Sequence, residues 1–258
     1  MSGKVGAYRS EESRPIRPPP AGVGIALARF REKIDAWAPY ADIIRVFDKG
    51  DIDPDDDTVD RDAFLLYKKL PNKGREGHSW ATYICANYER LPEYVIFTQA
   101  APWDLLGEDF DTPEEMFDVV EAMGDNGTVF TPFDPNLFHL TDDWDKIDWE
   151  DPKQSVWMTA KQLRMVDRTD VTPREYWRHV LGADPPPKIR ASHGGTFCVR
   201  REAIQRWPKD VYERIKGAFE KANSLNPQIG FFQERMWSAM FDPKNNWLNE
   251  DGEPLEQE

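Results

Sequence analysis

The sequence predicts an α/β domain with a mainly parallel sheet and helices on both faces. Short apolar runs bounded by glycine, proline or charged residues alternate with segments whose apolar residues recur at helical spacing. The chain has 258 residues, of which 40% are hydrophobic and 12% aromatic, so it can bury a sizeable core. Strands that alternate with helices pair in parallel and bury both faces of their sheet.

The first half of the chain supplies three predicted strands. They are residues 22–28, 43–47 and 94–98. Ile34 and Trp37 indicate a short helix between the first two strands. Before the third strand, helical spacing predicts a longer helix that Pro92 ends, with an apolar face made by Trp80, Tyr83, Ile84 and Tyr88.

Two capping boxes mark helix starts further along the chain. Thr112-Pro113-Glu114-Glu115 and Thr172-Pro173-Arg174-Glu175 each combine a capping threonine, a first-turn proline and a glutamate three residues after the cap. Between them, residues 134–157 are rich in Trp and Asp, and we expect an ordered loop or lid. Residues 194–199 predict a glycine turn into a short strand, and later apolar residues predict one helix near Pro208 and a last helix around Met236.

The domain boundaries follow from composition. We expect a single domain over residues 22–245. A flexible arm over residues 1–21 precedes it and ends in Arg17-Pro18-Pro19-Pro20. An acidic tail over residues 246–258 follows it, and we expect residues 249–258, which carry five acids and no base, to be frayed.

The charge balance argues against a broad nucleic-acid surface. Acidic residues outnumber basic ones by 47 to 33, for a net charge of −14. Binding a phosphate backbone needs clustered Lys and Arg side chains that displace counterions. A local basic pocket in such a protein suits one compact anion, such as a diphosphate, better than a duplex. Alternatively, the negative charge simply aids solubility.

The cysteines and the apolar runs indicate the cellular compartment in which the protein is expected. Cys85 and Cys198 lie among apolar residues without metal-ligand spacing, which predicts buried free thiols. The sequence lacks an apolar run of about 18 residues, so we expect no membrane span and no membrane partner. Residues 1–20 lack the apolar centre of a signal peptide, and we therefore expect a cytoplasmic protein.

Two groups of residues form the candidate site. Ligands of parallel sheets bind at the carboxyl ends of the strands, which here carry Arg29, Asp48, Lys49 and Gln99. A second group opens the helix before the third strand, where free backbone N–H groups and cationic side chains suit a diphosphate. Its members are Asn72, Lys73, Arg75, Glu76 and His78. The alternative is that Arg75 and Glu76 merely brace the loop.

Six short motifs resemble, in this order, an uncharacterised family found in fungi and bacteria. They are Ala28-Arg29-Phe30-Arg31-Glu32, Phe47-Asp48-Lys49-Gly50, Leu70-Pro71-Asn72-Lys73-Gly74-Arg75-Glu76-Gly77-His78, Phe97-Thr98-Gln99-Ala100-Ala101-Pro102, Gly194-Gly195-Thr196-Phe197-Cys198-Val199 and Glu234-Arg235-Met236-Trp237. The resemblance covers residues 22–241, and its most specific part is the motif that ends at His78. Departures at Phe30-Arg31, Asp48 and Ala100 indicate a divergent member with a shifted substrate.

The layout of that family is similar to the GT-A glycosyltransferase fold, a Rossmann-like sheet that binds nucleotide sugars. The resemblance therefore implies a transferase with a nucleotide-sugar donor and an acceptor that the sequence does not identify. Such enzymes commonly hold Mn²⁺ or Mg²⁺ with an Asp-x-Asp element after a core strand. In this chain only Asp104 follows the third strand closely, so it is the candidate metal ligand. A transferase that uses basic side chains instead of a metal is the alternative.

Two later elements complete the expected site. A buried Glu234, on a helix of large apolar residues, could act as general base towards an acceptor hydroxyl. The alternative is an ion pair with Arg235 that anchors the helix. His193, Gly194 and Gly195 form a loop that lets backbone approach a donor or acceptor, or else a tight turn without a ligand role.

Two other functions stay open at this stage. One is a cyclodipeptide synthase that takes arginine and other amino acids from transfer RNA. It would need a basic track formed by Lys68, Lys69, Lys73, Arg75, Lys188, Arg190, Arg200 and Arg201. The other is a non-catalytic binding module that kept the fold, and the missing Asp-x-Asp element favours it.

Overall fold

A computed structural model describes residues 16–50, 59–106, 110–133, 138–141, 165–192 and 194–255. Its strands are β1 (Val23–Arg29), β2 (Ile44–Asp48), β3 (Leu66–Lys69), β4 (Tyr94–Gln99), β5 (Phe130–Pro132), β6 (Phe138–Thr141), β7 (Lys188–Ser192), β8 (Phe197–Arg200) and β9 (Trp247–Leu248). Its α-helices are α1 (Arg75–Asn87), α2 (Trp103–Leu106), α3 (Pro113–Asn126), α4 (Pro173–Leu181), α5 (Arg201–Gln205), α6 (Lys209–Ala222), α7 (Gln228–Phe241) and α8 (Pro243–Asn246). Short 3-10 helices span Asp35–Ile43, Arg61–Ala63 and Tyr88–Arg90.

The central sheet has the order β3-β2-β1-β4-β8-β5. Strand β1 pairs in parallel with β2 and β4, and β2 pairs in parallel with β3. Strand β8 runs antiparallel to both β4 and β5. The prediction of a mainly parallel sheet is therefore confirmed.

Apolar layers cover both faces of this sheet, as predicted. Ala26 of β1 points into one buried cluster, together with Trp80 of α1 and Trp237 of α7. The alternate residue Ile25 points into a second cluster, together with Phe117 of α3. Because successive residues of a strand face opposite sides, the continuous apolar run of β1 is what two-sided burial requires.

The strand order reverses between β1 and β4. From β1 the chain moves outward through β2 to the edge strand β3, and it then returns through α1 to β4 on the other side of β1. Such a reversal opens a crevice at the carboxyl ends of the two strands, where α/β proteins bind ligands.

The two capping boxes begin helices as expected. The backbone N–H of Thr172 donates to Glu175 Oε2 at 2.8 Å, and the Glu175 N–H donates to Thr172 Oγ1 at 3.2 Å, at the start of α4. The Thr112 N–H donates to Glu115 Oε2 at 2.9 Å at the start of α3. Each pair satisfies N–H groups that would otherwise lack acceptors at a helix start.

Several strands were not predicted. Edge strand β3 has the exposed sequence Leu-Tyr-Lys-Lys and joins the sheet through backbone pairing with β2. A second, antiparallel sheet has the order β6-β7-β9. Strand β3 lacks the continuous apolar run that revealed β1, β2 and β4, because its side chains are largely exposed.

The second sheet also includes residues from the C-terminal segment of the chain. Trp247–Leu248 pairs with β7, and the Leu255 N–H donates to the Trp247 carbonyl at 2.9 Å. Leu248 and Asn246 are buried. Residues 249–255, which we expected to fray, therefore fold back so that Pro254 and Leu255 pair with β9, whose Leu248 is buried in the domain.

Other predictions lie partly outside the described residues. These include residues 1–15 of the arm, most of the expected lid at 134–157, and His193. The described end of the arm lies against α3, where Arg17 Nη1 is 2.5 Å from Asp118 Oδ1.

Only one of the two cysteines is fully buried. Cys198 is buried in β8, Cys85 is half-buried, and both are free. Burial raises the pKa of the Cys85 thiol to about 11. In the described part of the chain, no helix combines the length and the apolar character needed to cross a membrane.

Candidate functional site

The carboxyl edge of the central sheet gathers most of the candidate residues. Strands β1, β2 and β4 end there at Arg29, Asp48 and Gln99. Helix α1 runs back along the sheet to return the chain to β4, so its first residue, Arg75, lies at the same edge. Strand β8 enters from this edge, because it is antiparallel to β4 with Phe197 opposite Phe97. The turn before β8 therefore lies beside Gln99.

The strand-end network consists of Arg29, Asp48, Tyr67 and Lys69. The hydroxyl of Tyr67 donates to Asp48 Oδ2 at 2.8 Å and accepts from Arg29 Nη1 at 2.5 Å. Lys69 Nζ lies 3.3 Å from Asp48 Oδ2. The other oxygen, Asp48 Oδ1, accepts from the Gly50 N–H at 2.8 Å.

This network is closed to a ligand by its own bonds. Arg29 is 4% exposed and Asp48 is 1% exposed. Arg29 Nε also donates to the Glu32 carbonyl at 2.8 Å. Burial, followed by the hydrogen bond to Asp48, raises the pKa of Tyr67 to about 12, so the hydroxyl keeps its proton. These contacts indicate that Arg29 and Asp48 fix the strand ends.

Lys49 braces the loop that precedes α1. Its Nζ donates to the carbonyl of Lys73 at 2.7 Å and also to the carbonyl of Arg75. Burial lowers the pKa of Lys49 to about 7, and the carboxylate of Glu76 opposes this shift. Because its donors serve the loop backbone, Lys49 holds Arg75 in place through the main chain.

The loop before α1 turns through two left-handed residues. Gly74 has φ +63° and Arg75 has φ +46°. A Cβ on Gly74 would lie 2.7 Å from Phe219 Cδ1, so only glycine fits there. The Gly74 N–H donates to the Ser224 carbonyl at 2.9 Å, while Asn72 is exposed on the same loop. A left-handed arginine is uncommon and persists only where surrounding contacts enforce it.

The two-glutamate cluster consists of Arg75, Glu76, Glu234, Gly194 and Gly195, which come from three distant parts of the chain. Arg75 Nε lies 3.6 Å from Glu76 Oε2. The charge of Glu76, and secondarily that of Glu234, raises the pKa of Arg75 against the effect of burial. Glu234 Oε1 accepts the Gly194 N–H at 2.7 Å. Gly195 has φ +62°, and a Cβ there would lie 3.1 Å from Glu76 Cγ.

This cluster is accessible, unlike the strand-end network. The side chain of Arg75 is 43% exposed and that of Glu76 is 15% exposed. Glu234 is half-buried, and the bond to Gly194 occupies one of its two carboxylate oxygens. The cluster thus combines an exposed cation with two carboxylates that act on it electrostatically, and these groups can donate to and accept from a polyhydroxylated ligand.

His78 lies beneath this loop, on the first turn of α1. It is 2% exposed, and neither ring nitrogen has a hydrogen-bond partner. Burial and the nearby charge of Lys49 lower the pKa of His78 to about 4, although Glu220 Oε1, 3.9 Å from Nε2, opposes the shift. His78 is therefore a neutral imidazole near pH 7 and lies inside the fold.

Gln99, Asp104 and His193 are the remaining candidate residues. Gln99 is half-buried at the end of β4. Asp104 lies in α2, and its side chain is outside the described residues, as is His193. Among the described residues, no group of three or more His, Cys, Asp or Glu side chains is arranged to hold a metal. The metal assignment to Asp104 stays a prediction.

The basic track considered for transfer RNA is divided between the two ends of the sheet. Lys69 ends β3 at the carboxyl edge. Arg200 lies opposite Tyr94, the first residue of β4, and therefore at the other end. Its guanidinium donates to the carbonyls of Met123 and Thr128 at 2.8 and 3.1 Å. Arg200 and Arg201 therefore do not extend a surface that starts at Lys68 and Lys69.

Sequence reasoning missed one candidate, Arg235. From the sequence, we considered Arg235 only as a possible ion-pair partner for Glu234. In the structure, Glu234 accepts a hydrogen bond from the Gly194 backbone, and Arg235 is a buried residue with 7% exposure. A charged residue flanked by Met236 and Trp237 was the available signal, because arginine is seldom buried without a partner.

Comparison with known proteins gives a family without an assigned function. Residues 143–253 match the model of DUF3431, a family described as a protein of unknown function. The matched stretch includes Gly194, Gly195 and Glu234 but not Arg75 or Glu76, and it is less than half of the 258-residue chain. No curated protein and no solved structure matches the chain. The chain is thus similar, over residues 143–253, to a family whose description names no activity.

Proposed function

We propose that this chain is a GT-A-type glycosyltransferase, which moves a sugar from a nucleotide-sugar donor to an acceptor hydroxyl. The observation that carries the proposal is the two-glutamate cluster at the carboxyl edge of the sheet. There the half-buried Glu234, tied to the Gly194 N–H at 2.7 Å, lies within electrostatic range of the exposed Arg75. A positioned carboxylate beside a cation is what transfer to a hydroxyl needs.

The strand order supports a nucleotide at this edge. The reversal between β1 and β4 matches the place where doubly wound sheets bind nucleotides. The start of α1 directs free backbone N–H groups and its positive dipole end towards the same edge. In the proposal, the donor diphosphate binds there against Arg75.

Glu234 is the proposed general base. Its free oxygen takes the proton of the acceptor hydroxyl while the hydroxyl oxygen bonds to the anomeric carbon. The bond from that carbon to the diphosphate oxygen breaks, and the diphosphate leaves with the electron pair. Arg75 stabilises the charge that develops on the leaving group. The proton then passes from Glu234 to solvent.

The described residues fit a divalent cation poorly. Glu76 and Glu234 could supply carboxylate oxygens, but both interact with Arg75, whose guanidinium already provides the positive charge between them. No step of the proposed mechanism therefore passes through a metal. The experiment below tests the expected Mn²⁺ or Mg²⁺ at Asp104 separately, by comparing samples with and without the metal.

Thermal-shift measurements with UDP-, GDP- and TDP-sugars, each with and without Mn²⁺ or Mg²⁺, test the proposal. We expect one donor to raise the unfolding temperature, and that donor to be turned over when a panel of hydroxyl acceptors is supplied. Stabilisation without turnover would indicate a binding module that kept the fold. If no donor stabilises the protein under any metal condition, the proposed function is wrong.

A further inference from the structure

We propose that Arg235 is a binding residue for an anionic oxygen group of the substrate, a phosphate or a carboxylate, on the helix that carries Glu234. Only the identity of the anion rests on the proposed function, because a nucleotide-sugar donor would present its diphosphate to Arg235. The assignment itself stands on the burial, hydrogen bonds and position of Arg235.

Arg235 is a buried charge whose hydrogen-bonding capacity is mostly unused. The residue is 7% exposed. Its Nη1 donates to the Phe231 carbonyl, one turn earlier on α7, at 3.1 Å. A guanidinium carries five N–H donors, so most of them remain available. Within the described residues, no carboxylate lies at ion-pairing distance from Arg235.

Arg29 shows what this fold does with a buried guanidinium that has a structural role. Arg29 is buried to a similar degree, at 4% exposure. Its donors reach the Glu32 carbonyl and the Tyr67 hydroxyl, and Nη1 lies 4.0 Å from Asp48 Oδ2. A buried charge is costly unless it is paired and hydrogen-bonded. Arg29 has these partners inside the protein, whereas the partner of Arg235 must come from elsewhere.

The position of Arg235 connects it to the candidate site. Both arginines contact Phe231, because the Arg75 guanidinium stacks over its ring at 5.5 Å and Arg235 Nη1 donates to its carbonyl. Glu234, the proposed general base, immediately precedes Arg235 on α7. Burial lowers the pKa of Arg235, and the charge of Glu234 only partly opposes this. Helix α7 therefore brings to this part of the fold a second guanidinium, which has fewer carboxylates near it than Arg75.

The chemistry of the ligand follows from this pair. The planar guanidinium of arginine favours bidentate hydrogen bonds to phosphate and carboxylate oxygens. Arg75 is already partly balanced by Glu76 and Glu234, so Arg235 adds attraction for an anion that Arg75 alone does not supply.

The test compares wild type with Arg235→Met and Arg235→Lys in metal-free buffer, using inorganic pyrophosphate and malonate as probes. Without an anion, Arg235→Met should unfold at the same or a higher temperature, because it removes a buried unpaired charge. Its affinity for the anion should fall at least tenfold, and its thermal stabilisation by the anion should disappear. Arg235→Lys should recover part of the binding. Arg178→Met serves as the control, since Arg178 is an exposed arginine paired with Asp184 on the surface.

Each outcome has a definite meaning. Preference for pyrophosphate over malonate would identify a phosphate site, and the reverse a carboxylate site; both support the assignment. If Arg235→Met lowers the unfolding temperature while the response to anions is unchanged, Arg235 is a structural brace and the inference is wrong. It is also wrong if wild type responds to neither probe. Loss of anion binding in Arg235→Met with no response to any nucleotide sugar would contradict only the proposed function.

Discussion

Two polar clusters lie at the same edge of the same sheet, yet they differ in how their charges are satisfied. In the strand-end network, Arg29 and Asp48 are 4% and 1% exposed, and both have hydrogen-bond partners inside the protein. In the two-glutamate cluster, the Arg75 side chain is 43% exposed and lies 3.6 Å from the nearest Glu76 oxygen. The closed network can stabilise the fold without a ligand, whereas the open cluster retains polar groups that a ligand can use.

This difference in burial and bonding separates charged residues with a structural role from those available to a ligand. Candidate residues from both clusters follow strands or open a helix, so the sequence does not distinguish them. A polar group with buried partners makes its contribution to folding. A polar group that lacks them is costly to the fold, and such costs concentrate at binding sites. Four experiments sharpen or break this comparison.

The largest expected effect is on catalysis by the open cluster. Glu234→Gln keeps the acceptor for the Gly194 N–H but cannot take a proton, so turnover should fall by about a hundred- to ten-thousandfold. The unfolding temperature and donor affinity should change little. Steady-state kinetics checks the first and thermal unfolding the second, with the exposed Glu202→Gln as control. Unchanged turnover would remove Glu234 from the mechanism.

The next effect concerns the stability of the closed network. Asp48→Ala leaves the Tyr67 hydroxyl without its acceptor and the buried Arg29 without the carboxylate 4.0 Å away, which should cost roughly 3–5 kcal/mol of unfolding free energy. Asp118→Ala is the matched control, because its pair with Arg17 is exposed and should contribute less than about 1 kcal/mol. Urea denaturation measures both. Equal losses would mean that the network has no special role.

The buried His78 should make stability depend on pH. Above pH 6.5 the imidazole is neutral in both states, but as the pH falls the unfolded chain takes up the proton first, since the folded pKa is about 4. Stability should therefore decrease between these values by roughly 3 kcal/mol. The charges of Lys49, Lys73 and Lys216 strengthen the shift and Glu220 weakens it.

His78→Leu should flatten this dependence between pH 7 and pH 4, as measured by denaturation at a series of pH values. The exposed His179→Gln should keep the wild-type profile. A His78→Leu profile that matches wild type would show that the acid sensitivity arises elsewhere.

The smallest expected effect is on donor binding by Arg75. A charge-assisted hydrogen bond to an anion contributes about 1.5–3 kcal/mol, so Arg75→Ala should weaken donor binding roughly ten- to a hundredfold. Arg75→Lys should recover part of it, because lysine lacks the two-pronged geometry. Calorimetric titration with the donor measures the affinity. Unchanged affinity together with a lower unfolding temperature would make Arg75 a brace for Glu76.

Part of the fold could be predicted because burial leaves a pattern in the sequence. Strands β1, β2 and β4 are covered on both faces, so they appear as short apolar runs, and Thr172 and Glu175 reveal the start of α4 by local hydrogen bonds. Strand β3 escaped prediction because backbone pairing with β2 holds it while its side chains stay largely exposed. The pairing of Trp247–Leu248 with β7 was hidden by the acidic residues around it.

The sequence by itself determined that Arg29, Asp48 and Gln99 end strands and that Arg75 opens a helix, since strand ends and helix starts are local properties of the chain. Only the tertiary structure decided what those residues do. Packing of α1 and α7 beside the turn before β8 brings Arg75, Gly194 and Glu234 together across more than a hundred residues. The same packing closes the bonds of Arg29 and leaves those of Arg235 open. The role of a charge depends on its partners and burial, and both are set by contacts that the linear sequence does not contain.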